Sequence, residues 1–390
     1  MAVWTIIDAE QQESVSRFSV QGSEVCAAAA ESRIEYKILR GGVREGVGQL
    51  IVDNGVMRVV VLPQRGMGLW KAWSGDTQLG WNSPVQGPVH PQWVPILDPG
   101  GLGWLEGFDE LLVRCGLLSN GAPEFDGDGR LLYPLHGRIA NLPAHKLVVS
   151  IDEQSGTITV QGAVDETRFH FQKLRLVSTI TMRPDERTIE ITDEVSNLSG
   201  NGGEMQLLYH VNFGPSLHAP GSELVVPVKE MAPRDGIAAG DLDNWNTYGP
   251  AEADCPEQVF YFDLHSDRQG NTRTLLKGAN GNQGVSLGFN VNELPCFAQW
   301  KNTAPEYDGY VTGLEPATNF PNQRSYEAQQ DRVVELAAGQ TKSFHLALQY
   351  HPDADSLQAA EGEVRALTDG KEPLIHTAPR SGWTPSEDKN

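Results

Sequence analysis

Four β-strand patterns follow one another between residues 146 and 197, and this run constrains the fold more than any other feature of the sequence. The patterns cover residues 146–151, 157–164, 169–182 and 188–197, and turn-type residues at 153–156 and 184–186 separate them. Even spacing of this kind is typical of antiparallel sheets and not of strand–helix–strand units. The run therefore predicts a mainly β, antiparallel fold.

Further strand patterns lie on both sides of this run. Residues 48–53 and 56–62 flank Asn54-Gly55, which predicts a β-hairpin. Only residues 355–367 predict a helix, because their apolar side chains recur at the helical period and Asp355 or Ser356 can cap its start. Other predicted strands lie at 35–40, 204–214, 224–227, 258–264, 272–277, 285–290, 296–301, 333–336 and 343–350.

No linker divides the chain, so we expect a single domain over residues 1–375 that consists of two packed sheets. The chain has 390 residues, of which 39% are hydrophobic, and this is enough for a sizeable core. Residues 1–33 read as an irregular lead-in. Residues 376–390 are polar and contain two prolines, which predicts a frayed tail.

Charge and sequence signals restrict the partners. A formal net charge of −21 repels nucleic acid and anionic membrane surfaces. We see no signal peptide and no apolar stretch long enough to cross a bilayer. The four cysteines are far apart, as is typical of reduced thiols in a cytoplasmic protein, and no metal or nucleotide motif stands out. We therefore expect a cytoplasmic protein without cofactor or metal, and the sequence leaves the oligomeric state open.

Residues 204–214 predict a strand that ends in a site. By the two-residue period, His210 and Asn212 lie on one face, next to a loop that begins at Gly214. An imidazole beside a carboxamide at the end of a core strand is well placed to meet a ligand. A core histidine bonded to a backbone carbonyl is the alternative.

Two other short segments carry chemically useful side chains. Residues 74–135 are rich in Gly, Pro and Trp, which is typical of a binding loop, and directly after them His136 and Arg138 share one face of an extended segment. Glu315 ends a predicted strand just before Pro316. Taken singly, each has a plain structural alternative: a turn histidine, a surface arginine paired with a carboxylate, and a solvated glutamate.

Taken together and in this order, the three segments resemble the aldose 1-epimerase (galactose mutarotase) family. They read Leu135-His-Gly-Arg138, Tyr209-His-Val-Asn-Phe-Gly214 and Gly313-Leu-Glu-Pro-Ala-Thr318. The words Arg65-Gly-Met67 and Cys115-Gly-Leu117 are similar to those of a divergent branch long labelled a domain of unknown function. The resemblance runs from about residue 54 to residue 350. It implies a large antiparallel β-supersandwich with a sugar-binding cleft on one sheet.

The resemblance also implies roles. Mutarotases open and reclose a pyranose ring, which requires a base for the anomeric hydroxyl and an acid for the ring oxygen. By position in the motifs, Glu315 resembles the base and His210 the acid, and His136 resembles a histidine that polarises the sugar near its ring oxygen. Arg138 and Arg65 are implied as substrate-binding residues. The family also uses an aspartate between the acid and base segments, for which Asp235 and Asp243 both remain open.

Residues around these segments fit a sugar pocket. An indole stacks on the apolar face of a pyranose, and Trp300 lies shortly before Glu315, with Trp81 and Trp104 in the loop region. Gln299 and Asn212 are expected to bond sugar hydroxyls. A tryptophan that simply fills the core is the alternative. In the family the residue before the acid is an amide, whereas this chain has Tyr209, a change that we expect to affect the pocket.

The sequence thus predicts a cofactor-free isomerase that interconverts anomers or epimers of an aldose or sugar derivative. Two other hypotheses stay open: a non-catalytic carbohydrate-binding protein on the same fold, and a lyase or hydrolase that acts on a glycan. The presence of both His210 and Glu315 favours the isomerase, because binding alone requires no acid opposite a base. The sugar and its charge are not specified by the sequence.

Overall fold

The computed structural model describes residues 1–385 and shows a mainly β protein. The strands of the first half are β1 (Ala2–Asp8), β2 (Glu13–Ser14), β3 (Arg17–Gln21), β4 (Arg33–Ile38), β5 (Gly48–Asp53), β6 (Arg58–Leu62), β7 (Gly68–Ser74), β8 (Thr77–Leu79), β9 (Leu112–Leu117), β10 (Glu124–Phe125), β11 (Leu131–Tyr133), β12 (Ala144–Ile151) and β13 (Ile158–Thr167). Those of the second half are β14 (Lys173–Met182), β15 (Thr188–Asn197), β16 (Gly203–Phe213), β17 (Glu223–Val225), β18 (Val228–Pro233), β19 (Gln258–Leu264), β20 (Asn271–Lys277), β21 (Gly284–Asn290), β22 (Cys296–Asn302), β23 (Val311–Ala317), β24 (Val334–Leu336), β25 (Thr341–His351) and β26 (Leu374–Ile375).

Helices are few and short. The α-helices are α1 (Gly236–Ala239), α2 (Arg324–Gln329) and α3 (Ala354–Ala366). Short 3₁₀ turns occur at Gly22–Glu24, Ala27–Ala29, Gly42–Arg44, Pro91–Trp93, Gly103–Gly107, Ile139–Asn141, Leu242–Asn244 and Glu306–Asp308. None of the helices within residues 1–385 is long and apolar enough to cross a membrane.

Two large sheets form the body of the protein, with the small hairpin β10–β11 apart from them. The first sheet has the order β17-β20-β21-β25-β15-β14-β13-β12-β1-β2. The second has the order β26-β18-β19-β22-β23-β16-β9-β7-β6-β5-β4-β3, and β8 and β24 pair with β7 and β16 at its margins. All paired strands are antiparallel except β18 and β26. The predicted antiparallel fold is confirmed.

A shared core lies between the sheets. Along β14 buried and partly exposed residues alternate without interruption, as expected for a strand with one face on the core and one toward water. The core cluster combines Ile180 and Leu348 of the first sheet with Leu207 and Phe262 of the second. The two sheets therefore pack face to face.

One buried ion pair also joins the sheets. Arg114 on β9 bonds the carboxylate of Asp193 on β15, and its guanidinium donates to Ser178 Oγ at 2.7 Å. The hydroxyl of Tyr209 on β16 donates to the same carboxylate at 2.9 Å. Tyr209 therefore faces the core and not the cleft, which corrects the expectation that the tyrosine before His210 alters the pocket.

The predicted irregular lead-in over residues 1–33 is wrong. β1 pairs with β12 over residues 2–8, and β3 pairs with β4 over residues 17–21. Both strands find their partners in the two large sheets. The Ala-rich stretch between β3 and β4 forms two 3₁₀ turns.

The predicted tail is ordered as far as the structure describes it. His376 and Arg380 both bond Glu230, and Trp383 packs on Phe320 with a ring-centroid distance of 5.1 Å. The backbone carbonyl of Trp383 accepts a hydrogen bond from the Asn322 side chain at 2.8 Å. The prediction of a frayed end is therefore wrong for residues 376–385, and residues 386–390 lie outside the described part.

Local predictions were close to the observed elements. The hairpin at Asn54-Gly55 forms, but its second strand begins at Arg58, because Asn54 Oδ1 accepts the amides of residues 56 and 57 and keeps them in the turn. The predicted helix is α3. Its cap is Asp353, whose carboxylate accepts the Ser356 amide at 2.8 Å, and not Asp355 or Ser356.

Candidate active site

The side chains of His210 and Glu315 meet on the outer face of the second sheet. β16 and β23 are antiparallel neighbours, and the pairing of Val211 with Leu314 sets His210 opposite Glu315. His210 Nε2 and Glu315 Oε1 lie 3.1 Å apart, and the two residues are 5% and 3% exposed. The structure thus joins an imidazole and a carboxyl group that are 105 positions apart in the chain.

Asn212 fixes the tautomer of His210. The Asn212 amide nitrogen donates to the carbonyls of Glu110 and His210, so its Oδ1 atom is free to accept. Oδ1 lies 2.6 Å from His210 Nδ1, which therefore carries a proton. The Nε2 atom is then the one that faces Glu315. Since Asn212 is fully buried and its amide is engaged with protein groups, it positions His210, in place of the predicted role in sugar binding.

Burial moves the proton equilibria of the pair in opposite directions. Desolvation raises the pKa of Glu315 to about 8 and lowers the pKa of His210 to about 3. Near neutral pH both groups are therefore uncharged, and the carboxylic acid of Glu315 donates to His210 Nε2. The pair holds one proton that can move between carboxyl and imidazole.

His136 lies beside His210 at the same site. Its ring lies 5.4 Å from that of His210, nearly perpendicular to it. Its Nδ1 atom donates to the carbonyl of Asn120 at 2.9 Å, which leaves Nε2 as an acceptor. Burial lowers the pKa of His136 to about 4, so this ring is neutral as well. The backbone at His136 has a positive φ of 56°, so the position is strained for a residue with a side chain.

Aromatic rings surround the histidines. The ring centroid of Trp300 lies 5.5 Å from that of His210, and Phe108 lies 5.1 Å from it. Trp104 lies 4.6 Å from His136 and 6.1 Å from His210. Trp81 packs behind Phe108. Of the three predicted tryptophans, Trp104 and Trp300 border the histidines directly.

Gln299 is on the wrong face for a substrate contact. Residues alternate along β22, and Ala298 and Trp300 share the face of Glu315, whereas Gln299 pairs with Leu314 on the core side. Its amide donates to the carbonyl of Trp245 and to Tyr248 Oη, each at 2.9 Å. The prediction that Gln299 binds the sugar is therefore wrong.

The two predicted arginines lie elsewhere. Arg65 is almost completely buried and bonds Glu110, Asn141 and the carbonyl of Gly107, so it supports the segment that carries Trp104. Arg138 lies near the buried carboxyl of Glu166, where its charge opposes the rise of that pKa caused by burial. No bond among the described residues joins either guanidinium to His210 or Glu315.

The sequence did not single out Arg234 and Glu257. The Arg234 guanidinium bonds Asp235 at 2.9 Å and Glu257 at 3.3 Å, and Glu257 accepts from Trp300 Nε1 at 2.8 Å. Arg234 lowers the pKa of Glu315, and Glu257 raises it, both less strongly than burial does. The only signal was their place in the segment between β18 and β19, which crosses the site.

These contacts show which of the two candidate aspartates, Asp235 or Asp243, is connected to the site. Asp235 lies at the rim beside Arg234 and caps α1 through the Ala238 amide at 3.0 Å. Asp243 is exposed in the 3₁₀ turn Leu242–Asn244. Of the two, Asp235 is the one connected to the site.

The acid–base pair itself is nearly inaccessible, whereas His136 and Trp300 beside it are partly exposed. Two surface depressions of about 630 and 800 Å³ lie elsewhere, one on the outer face of the first sheet beside α3 and one near the β13–β14 turn. Neither is lined by His210 or Glu315. Trp104 and Phe108, which are 1% and 6% exposed, pack against the histidine rings.

Comparison with known proteins identifies relatives. A family described as a domain of unknown function (DUF4432) matches residues 44–350. A crystal structure from Klebsiella pneumoniae, provisionally described as an aldose 1-epimerase, is 28% identical with a TM-score of 0.93, over 97% of this chain and 99% of that one. No curated protein matches the sequence significantly.

Two further structures are similar in fold alone. A galactose mutarotase-like protein from Clostridium acetobutylicum is 14% identical with a TM-score of 0.56, over 82% of this chain and 98% of that one. A galactose 1-epimerase from Lactobacillus acidophilus is 11% identical with a TM-score of 0.53, over 81% and 98%. The fold is therefore galactose mutarotase-like.

Proposed function

The chain belongs to the DUF4432 family, and from that premise we propose that it is an isomerase of the aldose 1-epimerase type. It interconverts the anomers, or epimers, of an aldose or sugar derivative. The observation that carries this proposal is the direct contact between Glu315 and His210 on the outer face of a mutarotase-like sheet. The description of the Klebsiella pneumoniae relative as an aldose 1-epimerase supports it.

The chemistry follows from the shared proton. When the proton moves from Glu315 to His210 Nε2, a carboxylate base stands beside an imidazolium acid. Glu315 then takes the proton of the anomeric hydroxyl, the bond between the anomeric carbon and the ring oxygen breaks, and His210 donates its proton to the ring oxygen. Rotation about the adjacent carbon–carbon bond and the reverse transfers close the ring as the other anomer. Protons balance over the cycle, and no cofactor enters.

The neighbouring groups have supporting roles. His136 presents a neutral Nε2 atom, which accepts a hydrogen bond from a sugar hydroxyl. Trp300 offers an indole face for stacking on the apolar side of the pyranose. His210 and Glu315 are nearly inaccessible, whereas His136 and Trp300 are partly exposed, so the sugar is expected to approach the pair from the side of these two residues.

The test is anomer exchange measured by NMR over a panel of aldoses, uronates and sugar phosphates, with uncatalysed mutarotation subtracted. Glu315→Gln keeps the shape but cannot accept a proton, and His210→Asn cannot cycle one. Each is expected to lose a factor of about 10²–10⁴ in kcat. Glu335→Gln and His345→Asn, both on exposed surface away from the site, are the matched controls.

Three outcomes would redirect the assignment. Native turnover by Glu315→Gln on a sugar that the protein converts would show that the roles are wrong. Binding of a sugar without conversion of any sugar in the panel would favour the carbohydrate-binding protein. Cleavage of a glycan without exchange of a free sugar would favour the lyase or hydrolase.

A further inference from the structure

The indole N–H of Trp104 is a buried donor without an acceptor. Its Nε1 atom has no hydrogen-bond partner within residues 1–385, and the residue is 1% exposed. Three other tryptophans in this part of the fold donate to protein groups: Trp70 to Asp109, Trp81 to the carbonyl of Glu110, and Trp300 to Glu257. Trp104 therefore departs from the rule that a buried indole finds a partner.

The unsatisfied donor lies at the candidate site. The Trp104 ring is 4.6 Å from His136, edge to face, and 6.1 Å from His210. The Nε2 atom of His136 is the neutral acceptor proposed for a sugar hydroxyl, and His210 Nε2 belongs to the proposed acid–base pair. A sugar bound at His136 and His210 therefore brings oxygen atoms into the neighbourhood of this indole.

Close packing of the backbone on both sides of Trp104 fixes the position of this residue. It lies in the turn Gly103–Gly107, whose terminal glycines both pack too closely for a side chain. A Cβ on Gly103 would lie 1.9 Å from the carbonyl oxygen of Pro95, and one on Gly107 would lie 2.7 Å from the Arg65 guanidinium. The backbone on both sides of Trp104 is thus held against its support.

We propose that the Trp104 indole N–H is a substrate-binding donor, held for a hydroxyl or ring oxygen of the sugar between His136 and His210. This inference rests on the proposed function for the class of ligand. An unpaired buried donor is costly, and a ligand oxygen removes that cost.

The test replaces the donor and keeps the aromatic ring. Trp104→Phe removes an unsatisfied group from the free protein, so its melting temperature is expected to stay unchanged or to rise. Its dissociation constant for a bound sugar is expected to rise about tenfold, which corresponds to about 1.4 kcal/mol. Trp81→Phe is the matched control, because it breaks a bond to a protein carbonyl. It is expected to lower the melting temperature with little effect on sugar affinity.

A second measurement uses the native chain. In ¹⁵N-tryptophan-labelled protein, the Trp104 indole resonance is identified by its loss in Trp104→Phe, and the exposed Trp93 serves as the reference. Saturation with a sugar from the panel is expected to move the Trp104 proton downfield and leave Trp93 in place. A sugar that binds without moving this resonance, or that binds Trp104→Phe as tightly as the native protein, overturns the inference.

The remaining outcomes separate this inference from the proposed function. A shift of the Trp104 resonance without anomer exchange supports the donor role and contradicts the isomerase. Exchange of a sugar with unchanged KM and kcat in Trp104→Phe contradicts the donor role and leaves the isomerase. If no sugar in the panel binds or is converted, both are overturned.

Discussion

The Glu315→Gln variant is expected to gain stability relative to the native protein as the pH rises from 5 to 8. In the native fold the neutral carboxyl of Glu315 donates to His210 Nε2 across 3.1 Å. A glutamine amide keeps a donor at this position. Only the glutamate can lose its proton, and it does so at very different pH values in the folded and unfolded chain.

The sign follows from proton uptake on folding. An unfolded glutamate ionises near its ordinary pKa of 4.5, whereas burial holds the pKa of folded Glu315 at about 8. Between these values the folded chain binds one more proton at this residue, so its stability falls as the pH rises, by about 1.4 kcal/mol for each pH unit. From pH 5 to pH 7 the native protein is expected to lose roughly 3 kcal/mol relative to Glu315→Gln.

His210 acts in the opposite direction within the native protein. Burial lowers its pKa to about 3, so the unfolded chain binds the extra proton between that value and 6.5, and stability rises with pH over this range. The two contributions cancel between pH 4.5 and 6.5. The pair itself is therefore expected to leave native stability flat there and to lower it above pH 6.5.

Urea denaturation of both proteins at pH 5, 6, 7 and 8 measures the difference. Glu194→Gln, an exposed site on the first sheet, is the control and should follow the native curve. Parallel curves for the native protein and Glu315→Gln between pH 5 and 8 would refute the reasoning, because Glu315 would then ionise alike in both states. Nitrogen-15 shifts of His210 locate the shared proton: Nδ1 protonated and Nε2 bare is the expected state at pH 7.

Three further predictions concern single groups around the site. Asn212→Ala leaves the buried His210 Nδ1 proton without an acceptor and is expected to raise the activation free energy by about 1–3 kcal/mol. This rise is measured as a 10- to 100-fold lower kcat, together with a mixed tautomer in nitrogen-15 spectra. Arg114→Met leaves Asp193 charged and unpaired and is expected to destabilise the fold by about 3–5 kcal/mol in urea, whereas adding Asp193→Leu should recover part of that loss. Trp300→Ala is expected to weaken sugar affinity about tenfold by calorimetry with little change in kcat, because stacking acts on ground and transition states alike.

Much of the fold could be predicted because strand patterns are local. Residues 48–53 were predicted as a strand with the observed bounds, and 204–214 differs from β16 by one residue at each end. The prediction of an irregular lead-in over residues 1–33 failed for a physical reason. β1 is a strand because it completes a sheet edge against β12, a partner more than 130 positions away, and nothing within residues 1–33 carries that information.

The residues of the candidate site could likewise be predicted from the sequence only in part. His210 and Glu315 lie in recognisable segments, within β16 and β23 and not at the predicted strand ends, and the strand register brings them together. Gln299 could have been excluded from the sequence, because it is adjacent to Trp300 in a strand and the two cannot share a face. Arg234 and Glu257 could not be found, since their bond to each other and to Trp300 depends on how an irregular segment folds over the sheet.

The proposed acid–base chemistry and the access to it rest on different parts of the chain. The Glu315–His210 pair stands on the neighbouring strands β16 and β23, and Tyr209 of β16 bonds Asp193 of the opposite sheet, so the geometry of the pair is fixed by the core. Trp104, which packs against both histidine rings, lies in a short turn to which the buried Arg65 donates a hydrogen bond. Substitutions in the strands should therefore act on turnover, whereas substitutions beneath the turn should act on entry and release. An Arg65→Met variant that lowered kcat through the proton-transfer step, and not through sugar entry, would contradict this division.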